Sequence, residues 1–83
     1  MKVACLYVLQ IPENEGVILV AAQDALVTID QVGPYFRISA DDDIVIDRGA
    51  TGCRHAVWYS AIAGLEDSII VQYDKDALRV VAR

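Results

Sequence analysis

With 83 residues the chain has room for one hydrophobic core, and therefore one domain. Its net charge of −5 repels phosphate backbones, which disfavours direct nucleic-acid binding. Apolar residues make up 55% of it, more than a core this small can hold, so some are expected to meet another chain, either a protein partner or a second copy in a homodimer.

The uncharged stretches 3–12, 17–23 and 55–65 are shorter than the ~20 residues a membrane-spanning helix requires. Lys2 precedes an apolar run and Val20-Ala21-Ala22 imitates a cleavage site, but Glu13 and Glu15 interrupt the segment. It reads as part of a mature cytoplasmic protein rather than as a signal peptide. In such a compartment Cys5 and Cys53 are expected as two reduced, buried thiols.

Along the chain, short apolar runs alternate with turn chemistry, the pattern of a mainly β domain built as a small antiparallel sheet or barrel. Residues 3–11, apolar on both alternating faces, predict a central strand. Residues 12–16 supply Pro, Asn, two acids and Gly, a loop. Two further apolar runs, 17–22 and 25–29, hinge near Gln23-Asp24, and residues 30–34 break the pattern with Gly33-Pro34. Phe36 and Ile38 then face inward while Tyr35, Arg37 and Ser39 face outward. Asp41-Asp42-Asp43 form an acidic turn, Ile44 and Ile46 resume the inward face, and residues 49–52 turn again. Residues 68–73 and 78–82 are strands joined through Asp74-Lys75-Asp76, the second reading as a half-buried edge strand.

Residues 54–63 are ambiguous. Val57, Trp58, Tyr59 and Ile62 favour a strand, whereas Ala56, Ala61 and Ala63 favour a helix. The strand is preferred; the alternative is an α+β fold with one helix at about residues 53–63 packed on the sheet. Asp42-Asp43-Ile44-Val45-Ile46, Trp58-Tyr59-Ser60-Ala61 and residues 68–81 also suit an acidic turn with its strand, an aromatic-pair strand and two final strands. In this the C-terminal half resembles an SH3-like barrel. The resemblance implies a barrel shape alone, because the tyrosine-rich first motif and groove proline of the peptide-binding members are missing.

Candidate sites are few. Cys53 and His55 would share one face of a strand and could ligate a metal or pair thiolate with imidazole, but zinc needs two more ligands and no such spacing is present. Asp41, Asp42 and Asp43 do not match a calcium loop. Residues 49–52 lack the lysine of a phosphate loop, and Ser60 has no nucleophile elbow, so neither catalysis nor a cofactor is expected. Aromatic side chains carry large contact area at low entropic cost, which makes Trp58, Tyr59 and Tyr35, with Arg54 nearby, the expected protein interface. The acids Glu13, Glu15, Asp41, Asp42 and Asp43 fall in the first half, where residues 1–43 hold seven acids against two bases. An acidic half-surface suggests an alternative role as a nucleic-acid mimic that blocks a basic groove. The leading expectation is a small non-enzymatic interaction or regulatory module. A metal- or ligand-binding domain using Cys53 and His55 is the third possibility.

Overall fold

A computed structural model describes residues 3–83; Lys2, weighed above at the head of the apolar run, lies outside them. The chain folds as two small antiparallel sheets with a few short helices. Strands β1 (Ala4–Leu9), β2 (Val27–Val32), β3 (Tyr35–Ala40) and β5 (Ile62–Leu65) form the first sheet in the order β2-β3-β1-β5. Strands β4 (Ile44–Asp47), β6 (Ser68–Tyr73) and β7 (Ala77–Ala82) form the second in the order β4-β7-β6. The helices are α1 (Glu15–Ala22), α2 (Arg48–Thr51) and α3 (His55–Ser60), with a 3-10 turn at Pro12–Asn14 leading into α1.

The alternation read from the sequence decides which faces meet. Ala4, Leu6 and Val8 of β1 pair across from Ala40, Ile38 and Phe36 of β3 on the inner face. Ile44 and Ile46 of β4 pair with Val80 and Leu78 of β7 on the inner face of the other sheet. Except for Phe36, which is half-buried, these residues join Val17 and Ala21 of α1 and Trp58 of α3 in one apolar cluster. Burying a side chain such as Leu6 or Ile38 contributes about 1.5–3 kcal/mol, so the cluster is the main source of stability.

Several expectations are corrected. The run 17–22 is helix rather than a further β segment, and the loop expected over 12–16 is a 3-10 turn followed by the start of α1. A continuous apolar run carries no period of its own. Here Pro12 opens the turn, Glu15 sits in the first turn of the helix, and Val17 and Ala21, one helical step apart, pack inward. Of the turn expected at 49–52, residues 49–51 belong to the one-turn helix α2, capped where Ala50 N–H donates to Asp47 Oδ2 at 2.9 Å and closed by Gly52 at φ 71°. Residues 55–60 are helix, as in the α+β alternative, although shorter than the 53–63 it foresaw; β5 follows. The aromatic-pair strand suggested by the SH3-like resemblance is therefore helical. The break expected at 30–34 narrows to a two-residue hairpin loop, Gly33-Pro34, because β2 runs on to Val32. Gly33, at φ 58°, supplies the positive φ such a loop demands. Finally, β7 is the middle strand of its sheet and β6 its edge.

The helices α1 and α2 touch at Gly16. A Cβ there would lie 2.1 Å from the Thr51 carbonyl oxygen, so only glycine permits this approach. No helix among the described residues is long and apolar enough to cross a membrane.

Candidate interaction surface

The end of the first sheet, where β1 exits and the β2–β3 hairpin turns, carries a row of outward side chains. Val32 lies opposite Tyr35, and Tyr35 opposite Leu9, so three neighbouring strands each contribute one residue. All three are exposed. Tyr35 is braced by Tyr7, edge to face with ring centroids 6.4 Å apart. Further along the same outer face Arg37 holds Asp30, with Nε 3.1 Å from Oδ1, and this hydrogen bond to the guanidinium keeps the Asp30 carboxyl below the usual carboxylate range. Gln31 Nε2 donates to Gln10 Oε1 and Gln10 N–H to Pro34 O, tying the chain after β1 to the hairpin.

Beside this row lies a cleft of about 430 Å³ lined by Leu9, Ile11, Pro12, Ile18, Leu19 and Phe36, with Glu15 its one charged lining residue. Ile11 and Leu19 are exposed, Leu19 by more than half. The buried amide of Asn14 donates to Leu9 O at 2.9 Å and pins the 3-10 turn against the end of β1, which fixes Ile11 and Pro12 at the rim. Across Leu19 and Pro12 the surface continues into a second depression, of about 570 Å³, where Glu13 and Glu15 face Cys53 and Arg54. The row and the cleft share Leu9, and exposed apolar side chains with an acidic margin have the anatomy of a protein-docking site.

The residues singled out from the sequence fall in different places. Tyr35 stands in the exposed row, and Arg54 lines the second depression. Tyr59 is exposed but belongs to another aromatic group, 4.8 Å from His55 and 5.2 Å from Tyr73 between ring centroids. Trp58, expected at the interface, is instead covered within the chain. On a helix it turns inward, retains 1% exposure and donates its indole N–H to Asp74 O at 2.7 Å. The five acids are not brought together. Glu13 and Glu15 follow the Leu9 end of β1, whereas Asp41, Asp42 and Asp43 follow Ala40, which pairs with Ala4 at the other end. The six residues of β1 separate the two groups by about 17 Å, and Asp43 is also engaged by Arg79 Nε at 2.7 Å.

Cys5 and Cys53 are both free thiols; Cys5 is buried and Cys53, against expectation, half-buried beside the Glu13 carbonyl. Cys53 and His55 do not share a strand face, because α3 begins at His55. No group of three or more His, Cys, Asp or Glu among the described residues is placed to hold a metal ion.

Leu9, Ile11, Leu19 and Val32 were not among the residues chosen from the sequence, where Leu9 and Ile11 read as part of a central strand, Leu19 as part of an apolar run and Val32 as part of the break at 30–34. Pro12 followed by an acid-led run was the available signal, since it marks a helix start and would have turned Leu19 away from Val17 and Ala21.

The sequence matches no protein-family model and no curated protein. Its fold is known, however. The structure is similar to a chain in the structure of a phenol hydroxylase–regulatory protein complex, with a TM-score of 0.79 at 10% identity, over 99% of this chain and 100% of that one. At that identity the likeness establishes the fold alone.

Proposed function

We propose that this chain is a small non-enzymatic regulatory protein that acts by docking on a larger enzyme, of the hydroxylase type, through the patch around Leu9, Ile11, Leu19, Val32 and Tyr35. The observation that carries the reading is the structural match, over 99% of this chain, to a neighbour from a hydroxylase–regulatory protein complex. The exposed apolar row supports it independently. Val32, Tyr35 and Leu9 lie side by side on three hydrogen-bonded strands, a rigid platform that needs little ordering on binding. Tyr35 supplies the aromatic anchor, and Glu13 and Glu15 at the margin suit a partner with basic residues around an apolar centre.

The test is titration of the purified chain into a purified hydroxylase from the same source, followed by calorimetry and by turnover of the hydroxylase substrate. Saturable binding with a change in turnover is expected. Absence of both would overturn the proposal.

A further inference from the structure

The two depressions beside α1 share Pro12, Glu15 and Leu19, which form a ridge between them. Glu15 is the one charged residue of the first, and Glu13 and Arg54 line only the second. Among the described residues neither glutamate forms an ion pair; the carboxylates engaged by arginine are Asp30 and Asp43. The backbone around the first depression is already occupied. Leu9 lies on β1 and Phe36 on β3, and each of these strands is paired on both sides. Gln10 N–H donates to Pro34 O, Ile11 N–H to Leu9 O, Asn14 N–H to Ile11 O and Glu15 N–H to Pro12 O, while Pro12 has no N–H to give.

We propose that the segment received here is an amphipathic helix of the partner enzyme, with its apolar stripe in the first depression and a lysine or arginine beside the stripe set against Glu13 and Glu15. The inference rests on the docking reading above and adds the conformation and charge of the docked segment. Conformation follows from the occupied backbone. A strand laid in this cleft would bury N–H and C=O groups that find no partner, whereas a helix satisfies its own. Side chains three and four apart on a helix share one face, so neighbours can straddle Leu19 and enter both depressions. Charge follows from the two unpaired glutamates, since a base beside the stripe answers them and an acid would be repelled.

Two measurements on the complex with the purified partner enzyme test this. In the first, Leu19, more than half exposed on the ridge, is replaced by the photoreactive p-benzoylphenylalanine, and the cross-linked segment is identified by mass spectrometry. A segment with apolar residues recurring three and four apart, and a lysine or arginine within one turn of them, is expected. In the second, the Glu13→Gln, Glu15→Gln double variant, its fold checked by circular dichroism, should bind about tenfold more weakly than wild type at about 20 mM salt. The difference should vanish at about 0.5 M salt, where exposed charges are screened. Cross-links confined to segments of strand alternation or to acidic segments overturn the proposal and leave the docking standing. So does a double variant that binds as tightly as wild type at low salt. A complex that forms without any cross-link from position 19 removes the ridge from the interface, and with it the helix. Absence of a complex overturns the docking reading and this inference together.

Discussion

Trp58 and Tyr73 meet edge to face with ring centroids 5.6 Å apart, and two hydrogen bonds lock them together. The indole N–H reaches Asp74 O, next to Tyr73, and the Tyr73 hydroxyl donates to the Trp58 carbonyl. The pair fastens α3, which sits ahead of the first sheet's edge strand, to the second sheet. Trp58→Ala should cost about 3–5 kcal/mol of stability, through lost burial and a cavity. Tyr73→Phe should cost about 1 kcal/mol, the net value of one hydrogen bond. Urea denaturation measures both. Equal costs for the two variants would show that the hydroxyl contributes far more than its hydrogen bond.

Gly16→Ala is the smallest substitution with a large expected effect. The new methyl group would collide with the Thr51 carbonyl oxygen, and backbone on both sides leaves no flexible side chain to yield. Although alanine favours helices, forcing α1 and α2 apart should destabilise the protein by about 1–3 kcal/mol. A rise in the thermal midpoint would show that α1 shifts freely.

If the patch docks a partner, Tyr35→Ala should weaken that complex by about 2 kcal/mol, roughly 30-fold in Kd, with circular dichroism confirming that the variant is folded. Leu19→Lys should weaken it as well, since Leu19 is exposed and fills no core position. Leu26→Ala serves as the control. Leu26 is 73% exposed and precedes Val27, which pairs with Ala40 at the opposite end of the sheet. Comparable losses from all three variants would remove the patch from the interface.

Two carboxylates should contribute to the acid limb of stability. Asp74 is held below the usual range mainly because its Oδ1 accepts from the Ala77 and Asp76 amides, and Asp30 because Arg37 donates to it. Both folded-state values lie below the unfolded one of about 4, so these contributions are fully present above that pH and are lost as pH falls through the lowered values. The urea midpoint should therefore hold from pH 7 to about 5 and decline below about 4. In Asp74→Ala the protein should be less stable at neutral pH and the decline shallower. An unchanged acid limb would assign the effect to other carboxylates.

The two thiols should differ in reactivity. Burial pushes the Cys5 thiol up from its ordinary value, and its side chain is almost fully covered, whereas Cys53 is half-buried at the edge of the second depression. A thiol reagent at pH 8 should label Cys53 first and reach Cys5 only on unfolding. Simultaneous labelling would mean that β1 opens locally.

The local pattern was enough to locate five of the seven strands, because a half-buried strand writes its inward and outward faces into adjacent residues. Phe36 and Ile38 against Tyr35 and Arg37, Ile44 and Ile46 against Val45, and Leu78 and Val80 against Arg79 are of this kind, as are the apolar run of β1 and the turn-bounded β6. The segment that became β2 was recognised as an apolar run but placed two residues early, since Asp30 and Gln31 look like turn residues until Arg37 and Gln10 are seen to satisfy them. Helices were harder to read. Residues 17–22 are apolar on every side, so only the contacts of Val17 and Ala21 with the core choose the helical period. Residues 55–60 carry strand-favouring side chains, and what overrides them is the single buried anchor of Trp58 with its partners Asp74 and Tyr73, sixteen and fifteen residues away. The candidate surface follows the same division. Tyr35 was recognisable as an exposed aromatic from alternation alone. Leu9 and Ile11, Leu19, and Val32 come from three separate stretches of chain, and apolar side chains declare an interface only when strand pairing and the α1 turn leave them in solvent.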